Sequence, residues 1–398
     1  MNKIALCVLS VFVATTLAYT GGELQECSTV VVSGLATPDG RPLLWKNRDT
    51  DQLSNRAIFV TDRPYSYLAL VDAEDSSGMM VWAGLNSAGF AIANSVAYNL
   101  PRRSGEYADL EGIIMAAALR TCATIDDFET FVKCRLGPTL GSQANFCVID
   151  AHGGSSIIET HNHGYKRIDA QEFPEKYIIN TNYSRSGTPD QGAGYLRFDR
   201  ETELFKAAPG KKITHEYILQ FVARDLGHSL LVNPPRGEWK NFSPETPRWV
   251  HANHTINRVS TASAVVIQGV ENGSDPGKAI MWLILGEPVC SIAVPLWVSA
   301  GSPPASLWQG EHASISREAL RLKDILRPLK GRERKEYLDL TRLDNSAGTG
   351  WLPTFLESER TIFRETANLL QGNPLTQQLA DFEKNTGNRI LSTLKQVR

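Results

Sequence analysis

A chain of 398 residues with 42% hydrophobic content is long enough to bury a large core, as one big domain or two packed units. Lys and Arg (41) nearly balance Asp and Glu (43), and the two signs are interspersed, which argues against a nucleic-acid partner or a charged membrane surface. No run approaches the ~20 apolar residues of a membrane span, so stable membrane insertion is not expected.

In chain order, Lys3 and the apolar run from Ile4 to about Ala18 form a secretory signal: a charged start, a short apolar stretch and small residues at its end. The mature protein is therefore expected to be secreted or periplasmic. A lipoprotein cut before Cys27 is weaker, because Leu24-Gln25-Glu26 lacks small residues. From Cys27 to about Leu100 strand follows strand, with "TPDG" and "NSAG" marking tight reversals. Two helices follow, "LEGIIMAAALRTC" and "TIDDFETFVKC", the second capped by Thr124 with Ile125, Phe128, Phe131 and Val132 inward. A hairpin turning at Gly153-Gly154, a strand "YIINTNYS", and helices around "RFDRETELFKAA" and "HEYILQFVARDLG" come next. The stretch from Asn233 to Asn257, broken by four prolines, reads as a surface loop. Strands return in "VSTASAVVIQGV", "KAIMWLIL" and "CSIAVPLWV", and the last ninety residues are mainly helical. Strand and helix blocks alternate in bulk, which favours an α+β fold of antiparallel sheets covered by helices.

Removing Cys7 with the signal leaves five cysteines, an odd count that points to at least one free thiol. Cys122 and Cys134 are not expected to pair, because the helix between them holds the sulfurs too far apart. "HNH" at 161–163 and "HANH" at 251–254 lack a third ligand, so neither a metal nor a cofactor is expected.

What remains is a set of polar residues in apolar strands. Cys27 opens the first strand, and "WKNRDTD" ends the second with Lys46, Asn47, Arg48 and Asp49. A hairpin of that length returns Asp49 beside Cys27. Asn182 closes another strand and Arg258 opens one. Unpaired charge at a buried strand end costs several kcal/mol, so these groups serve each other or a ligand. Each has a plainer reading. Cys27 could be a packed core thiol, Asp49 a turn residue, Asn182 a turn residue or the acceptor of the "NYS" glycosylation sequon, and Arg258 half of a surface ion pair.

The order of Cys27, the Lys46-Asn47-Arg48-Asp49 segment, "GLNSAGFAIAN" ending at Asn94, and "NTN" ending at Asn182 resembles the N-terminal-nucleophile (Ntn) hydrolases. More specifically it is similar to the choloylglycine hydrolase and penicillin V acylase group and the related acyl-CoA:6-aminopenicillanate acyltransferases, over roughly Cys27 to Val298. The resemblance implies a four-layer α/β/β/α sandwich at 27–310, after a signal peptide (1–18) and a short pro-segment (19–26), with a helical region at 311–398 packed on it. It implies that Cys27 becomes the first residue of the mature chain. An α-amino group, with an ordinary pKa of ~7.7–8.0, can then serve as the base for its own thiol. Asp49 matches the aspartate that positions that amine, and Asn182 the asparagine that helps form the oxyanion hole. The backbone near Asn94 to Val96 would supply a second donor. Lys46 stands where the family has an arginine, a departure that keeps the charge but loses the planar fork. Arg258 is the candidate for the later active-site arginine. The expected activity is hydrolysis of a small-molecule linear amide, N-acyl or resembling a conjugated bile acid, through a Cys27 thioester. The alternatives are an acyltransferase using the same thioester and an inactive exported binding protein. A homo-oligomer is a family expectation only.

Overall fold

The computed structural model describes residues 26–75, 77–331 and 333–397. The signal-peptide assignment and all of the pro-segment except Glu26 lie outside the described residues. In chain order the first strands are β1 (Glu26–Val32), β2 (Leu43–Asp49), β3 (Asn55–Val60), β4 (Tyr67–Asp72), β5 (Val81–Asn86) and β6 (Ala91–Val96). After helices α1 (Glu111–Thr121) and α2 (Ile125–Lys133) come β7 (Gln143–Ile149), β8 (Ser155–His161), β9 (Gly164–Asp169) and β10 (Tyr177–Asn180). Helix α3 (Tyr195–Lys206) precedes β11 (Trp249–His251), β12 (Thr261–Gln268), β13 (Ile280–Leu285), β14 (Val294–Leu296) and β15 (Tyr337–Asp339).

Two antiparallel sheets hold most of these strands. One runs β10-β1-β2-β12-β13-β14 and the other β3 to β9 in sequence order. β1 and β2 pack face to face on β6 and β7, so the inner faces of both sheets bury each other. Helices α1 and α2 cover the outer face of the seven-stranded sheet, against β5, β6, β8 and β9. Helix α3 and the helices Ser314–Leu326 and Thr376–Gln396 lie over β10, β13 and β14 of the six-stranded sheet. The architecture is thus α+β in four layers, α/β/β/α, with a helical C-terminal segment.

Local chemistry explains the elements. In β1, Thr29 and Val30–Val32 are fully buried, as are the apolar residues of β12 and β13, so central strands here read as continuous apolar runs. At the start of α2, Thr124 Oγ1 accepts from Asp127 N at 3.1 Å while Asp127 Oδ2 accepts from Thr124 N at 3.0 Å, a reciprocal cap. Helix α1 crosses β5 at Gly84, where a Cβ would stand 2.5 Å from Leu119 Cδ1 and 2.8 Å from Leu68 O.

Three local expectations shift. The 233–257 stretch is not all surface loop. It carries the short helix Arg236–Trp239 and β11, which pairs with β15, and it buries Trp239, Val250, Ala252 and Ile256. The helix at "HEYILQFVARDLG" tightens only through His215–Tyr217 and then widens into a π turn at Ile218–Val222. That wider turn leaves Phe221 exposed while Ile218 and Val222 stay buried. β10 ends at Asn180, and Asn182 follows in an isolated bridge to Ala193.

Candidate active site

The hairpin β1–β2 sets Glu26 opposite Asp49, Cys27 opposite Arg48 and Thr29 opposite Lys46. The register is one residue off the hairpin expectation, so Asp49 faces the residue before Cys27 rather than Cys27 itself. Side chains alternate across a strand. Cys27, Lys46 and Arg48 therefore point into the space between the sheets, whereas Glu26, Ser28 and Asp49 point toward α3.

On the inner face, Cys27 is 7% exposed and borders a cavity of about 20 Å³ with Lys46, Arg48, Asp49, Trp82, Asn94 and Val96. That space has room for one water and none for an acyl chain. Lys46 Nζ donates to Asn94 Oδ1 at 2.7 Å and to Trp82 O at 3.1 Å. Burial pulls the Lys46 ammonium below the usual lysine range, opposed by the adjacent Cys27 sulfur. Arg48 makes a two-pronged pair with Asp72, at 2.6 and 3.2 Å, and stacks on Trp82 at 4.3 Å. Trp82 Nε1 in turn donates to Asp72 Oδ2 at 3.0 Å.

On the outer face, the Cys27 backbone is gripped from both sides. Its N–H donates to Asn182 Oδ1 at 2.9 Å, and its carbonyl accepts from Arg197 at 2.7 Å. Arg197 also donates to Ser28 Oγ at 2.9 Å, to Asn182 Oδ1 at 2.8 Å and to Glu26 Oε2 at 2.8 Å. The same Glu26 oxygen accepts from Arg258, whose Nε lies 3.9 Å from Asp49 Oδ2. Burial raises the Glu26 carboxyl, but Arg197 and Arg258 outweigh it and hold the group below the ordinary range. Asp49 Oδ1 accepts from Thr261 Oγ1 at 2.7 Å, while its Oδ2 is buried without a hydrogen-bond partner. Burial pushes the Asp49 carboxyl up despite Arg258 and Arg197.

Asn182 is fully buried, and its Nδ2 donates to Val96 O at 3.0 Å. It is a tie between β1 and β6, and no sugar could reach it. Arg258 is 8% exposed, inside this network rather than on the surface. Cys27, Lys46, Asp49, Asn94, Asn182 and Arg258 thus converge on one strand end. Sequence reasoning missed three neighbours: Glu26, Arg197 and Glu201. Glu201 is fully buried with neither carboxylate oxygen hydrogen-bonded within 3.5 Å, and burial pushes its pKa up to about 8 against the opposing pull of the nearby Ser28 hydroxyl and Arg197. The signal was present in "RFDRETELF", where Arg197, Glu201 and Phe205 recur at helical spacing and are the buried face of α3. All five cysteines among the described residues are free thiols, Cys122 and Cys134 included.

No protein-family profile matches the chain, and no curated protein matches it. Among solved structures, it is similar to the conjugated bile acid hydrolase from Clostridium perfringens, at 12% identity and a TM-score of 0.38 over 65% of this chain and 89% of that one. It is also similar to penicillin V acylase from Agrobacterium tumefaciens (13%, TM-score 0.37, 68% of this chain and 85% of that one). A third is the N-acylethanolamine-hydrolyzing acid amidase ortholog of Caenorhabditis elegans (13%, TM-score 0.36, 49% and 84%). At such identities and TM-scores these likenesses carry no argument about this chain's chemistry.

Proposed function

We propose that this chain is an exported Ntn-type cysteine amidase, activated by cleavage of its own Glu26–Cys27 bond. The observation that carries this reading is the unsatisfied half of Asp49. One carboxylate oxygen is buried without a hydrogen bond, with the Arg258 guanidinium 3.9 Å away, at the strand position facing Glu26 and next to a Cys27 nitrogen already held by Asn182. Leaving such an oxygen without a hydrogen bond costs about 1–3 kcal/mol. A free α-ammonium on Cys27 would satisfy it, and only a cut before Cys27 creates one.

In the mature site the amine takes the Cys27 thiol proton and the sulfur adds to the substrate amide carbonyl. Val96 N–H is the proposed oxyanion donor, because it lies on the same strand edge as the Val96 carbonyl met by Asn182. The C–N bond then breaks, the leaving amine departs with the proton, and water hydrolyses the thioester to a carboxylic acid and the restored thiol. Lys46 and Arg48 place two cationic side chains on the thiol's face. Asp49 orients the amine, and Arg197 with Asn182 fixes the Cys27 backbone.

The test is the N-terminus and intact mass of the purified protein beside Cys27→Ala. A wild type beginning at Cys27, with the variant retaining the preceding residues, is the expected result. If both begin near Tyr19, the amine has no role as base and the reading falls.

A further inference from the structure

The Glu26 carboxylate is held by two arginines, Arg197 and Arg258, whose side chains are 1% and 9% exposed. Glu26 is also the acyl half of the bond that Cys27 would cut. During that cut the sulfur adds to the Glu26 carbonyl, the Cys27 nitrogen leaves with a proton, and a Glu26 thioester results, which water hydrolyses. The same sulfur later carries the substrate's acyl group, starting from the same carbonyl position. Counting from that carbonyl through Cα, Cβ and Cγ, the carboxylate on the arginines is the fifth carbon. The Glu26 acyl group is therefore a substituted pentanedioyl.

Cleavage removes this anion from the two guanidinium groups. Asp49 remains as a counter-charge to Arg258, and Arg197 keeps neutral acceptors, the Cys27 carbonyl, Ser28 Oγ and Asn182 Oδ1. Buried cations stripped of a carboxylate call for another one. The alternative path for an acyl chain, the inner cavity beside the thiol, has room for one water.

We propose that the mature site selects amides whose acyl half is a five-carbon dicarboxylic acid, glutaryl or N-blocked γ-carboxyl-free glutamyl, with the distal carboxylate on Arg197 and Arg258. The proposal rests on the cysteine amidase reading and names its substrate class.

The experiment compares kcat/KM of the mature protein for three p-nitroanilides: glutaryl, its neutral isostere glutaramoyl, and hexanoyl. Glutaryl is expected to lead glutaramoyl by at least about tenfold, the effect of one charge-assisted contact, and Arg258→Met to bring the ratio close to one. In parallel, glutarate but not butanoate should slow alkylation of wild-type Cys27 by iodoacetamide, a readout that does not depend on the variant folding. Turnover with no glutaryl preference, or with hexanoyl ahead, overturns the substrate class and leaves the amidase standing. No turnover of any of the three by a protein that begins at Cys27, with no glutarate protection, overturns both.

Discussion

Two buried charge clusters sit on the six-stranded sheet, and they differ in one respect. Around Arg224 every charged group is answered. Its guanidinium donates to Pro288 O, Leu219 O, Ser291 O and both oxygens of Glu359, and Glu359 also accepts from Ala293 N. Glu287, close by, is met by Arg327, Lys323 and Asn257. Around Cys27 the groups are as deeply buried, yet Asp49 Oδ2 and both oxygens of Glu201 lack hydrogen bonds. A saturated cluster fixes a fold. An unsaturated one of the same depth is held in a less comfortable state by the rest of the molecule, and such strain gathers where a further group is to arrive.

Breaking the saturated cluster should give the largest change. Glu359→Gln weakens the partner of a buried arginine and is expected to lower unfolding free energy by roughly 3–5 kcal/mol, read by urea titration. The N-terminal residue of whatever protein folds should be unchanged; altered processing would mean the two clusters are not separate. Asp49→Asn keeps shape but removes the charge proposed to orient the amine, and kcat/KM should fall about 10²-fold or more with little change in Tm. A large stability loss without a loss of rate would make Asp49 structural. Lys46→Met takes away a cation that borders the thiol and grips Asn94, so kcat/KM should fall about tenfold. An unchanged rate would leave Arg48 as the cation that matters.

The finest effect is a slope. The Glu201 carboxyl is raised to about 8 in the folded chain and returns to about 4.5 on unfolding. Unfolding therefore releases a proton between those values, so stability falls as pH rises across that window, by at most ~1.4 kcal/mol per pH unit. Glu201→Gln should flatten that part of the curve, gaining on the wild type at pH 8 relative to pH 5 in paired denaturation series. Parallel curves would show that Glu201 is ionised or paired in the native protein.

Much of the site was legible because its parts are local. The distance from Cys27 to Lys46 and Asp49 is one hairpin, and turn chemistry fixes a hairpin to within a residue. The missing residue of register moved Asp49 opposite Glu26, and that slip hid the role of Glu26. Contacts made by packing were beyond reach. Lys46 meets Asn94 only because two sheets stack, and hydrophobic pattern names the buried face without naming what covers it. Arg197 and Glu201 were hidden by expectation, since charge on an amphipathic helix is normally assigned to solvent, and here it lines the inward face. β11 and β15 are three residues each and nearly ninety residues apart, too short for a period and too distant for a turn to announce them.

The bond between Arg224 and Glu359 spans 135 positions of sequence. On the ribosome, at about 5–20 residues per second, the sheet and its arginine are made seconds before the helix that carries the answering carboxylate. Until that helix emerges, a full positive charge faces the underside of the sheet with part of its shell missing. The early part of the chain is therefore expected to stay loosely closed during synthesis, and to lock only when the segment after Leu352 docks.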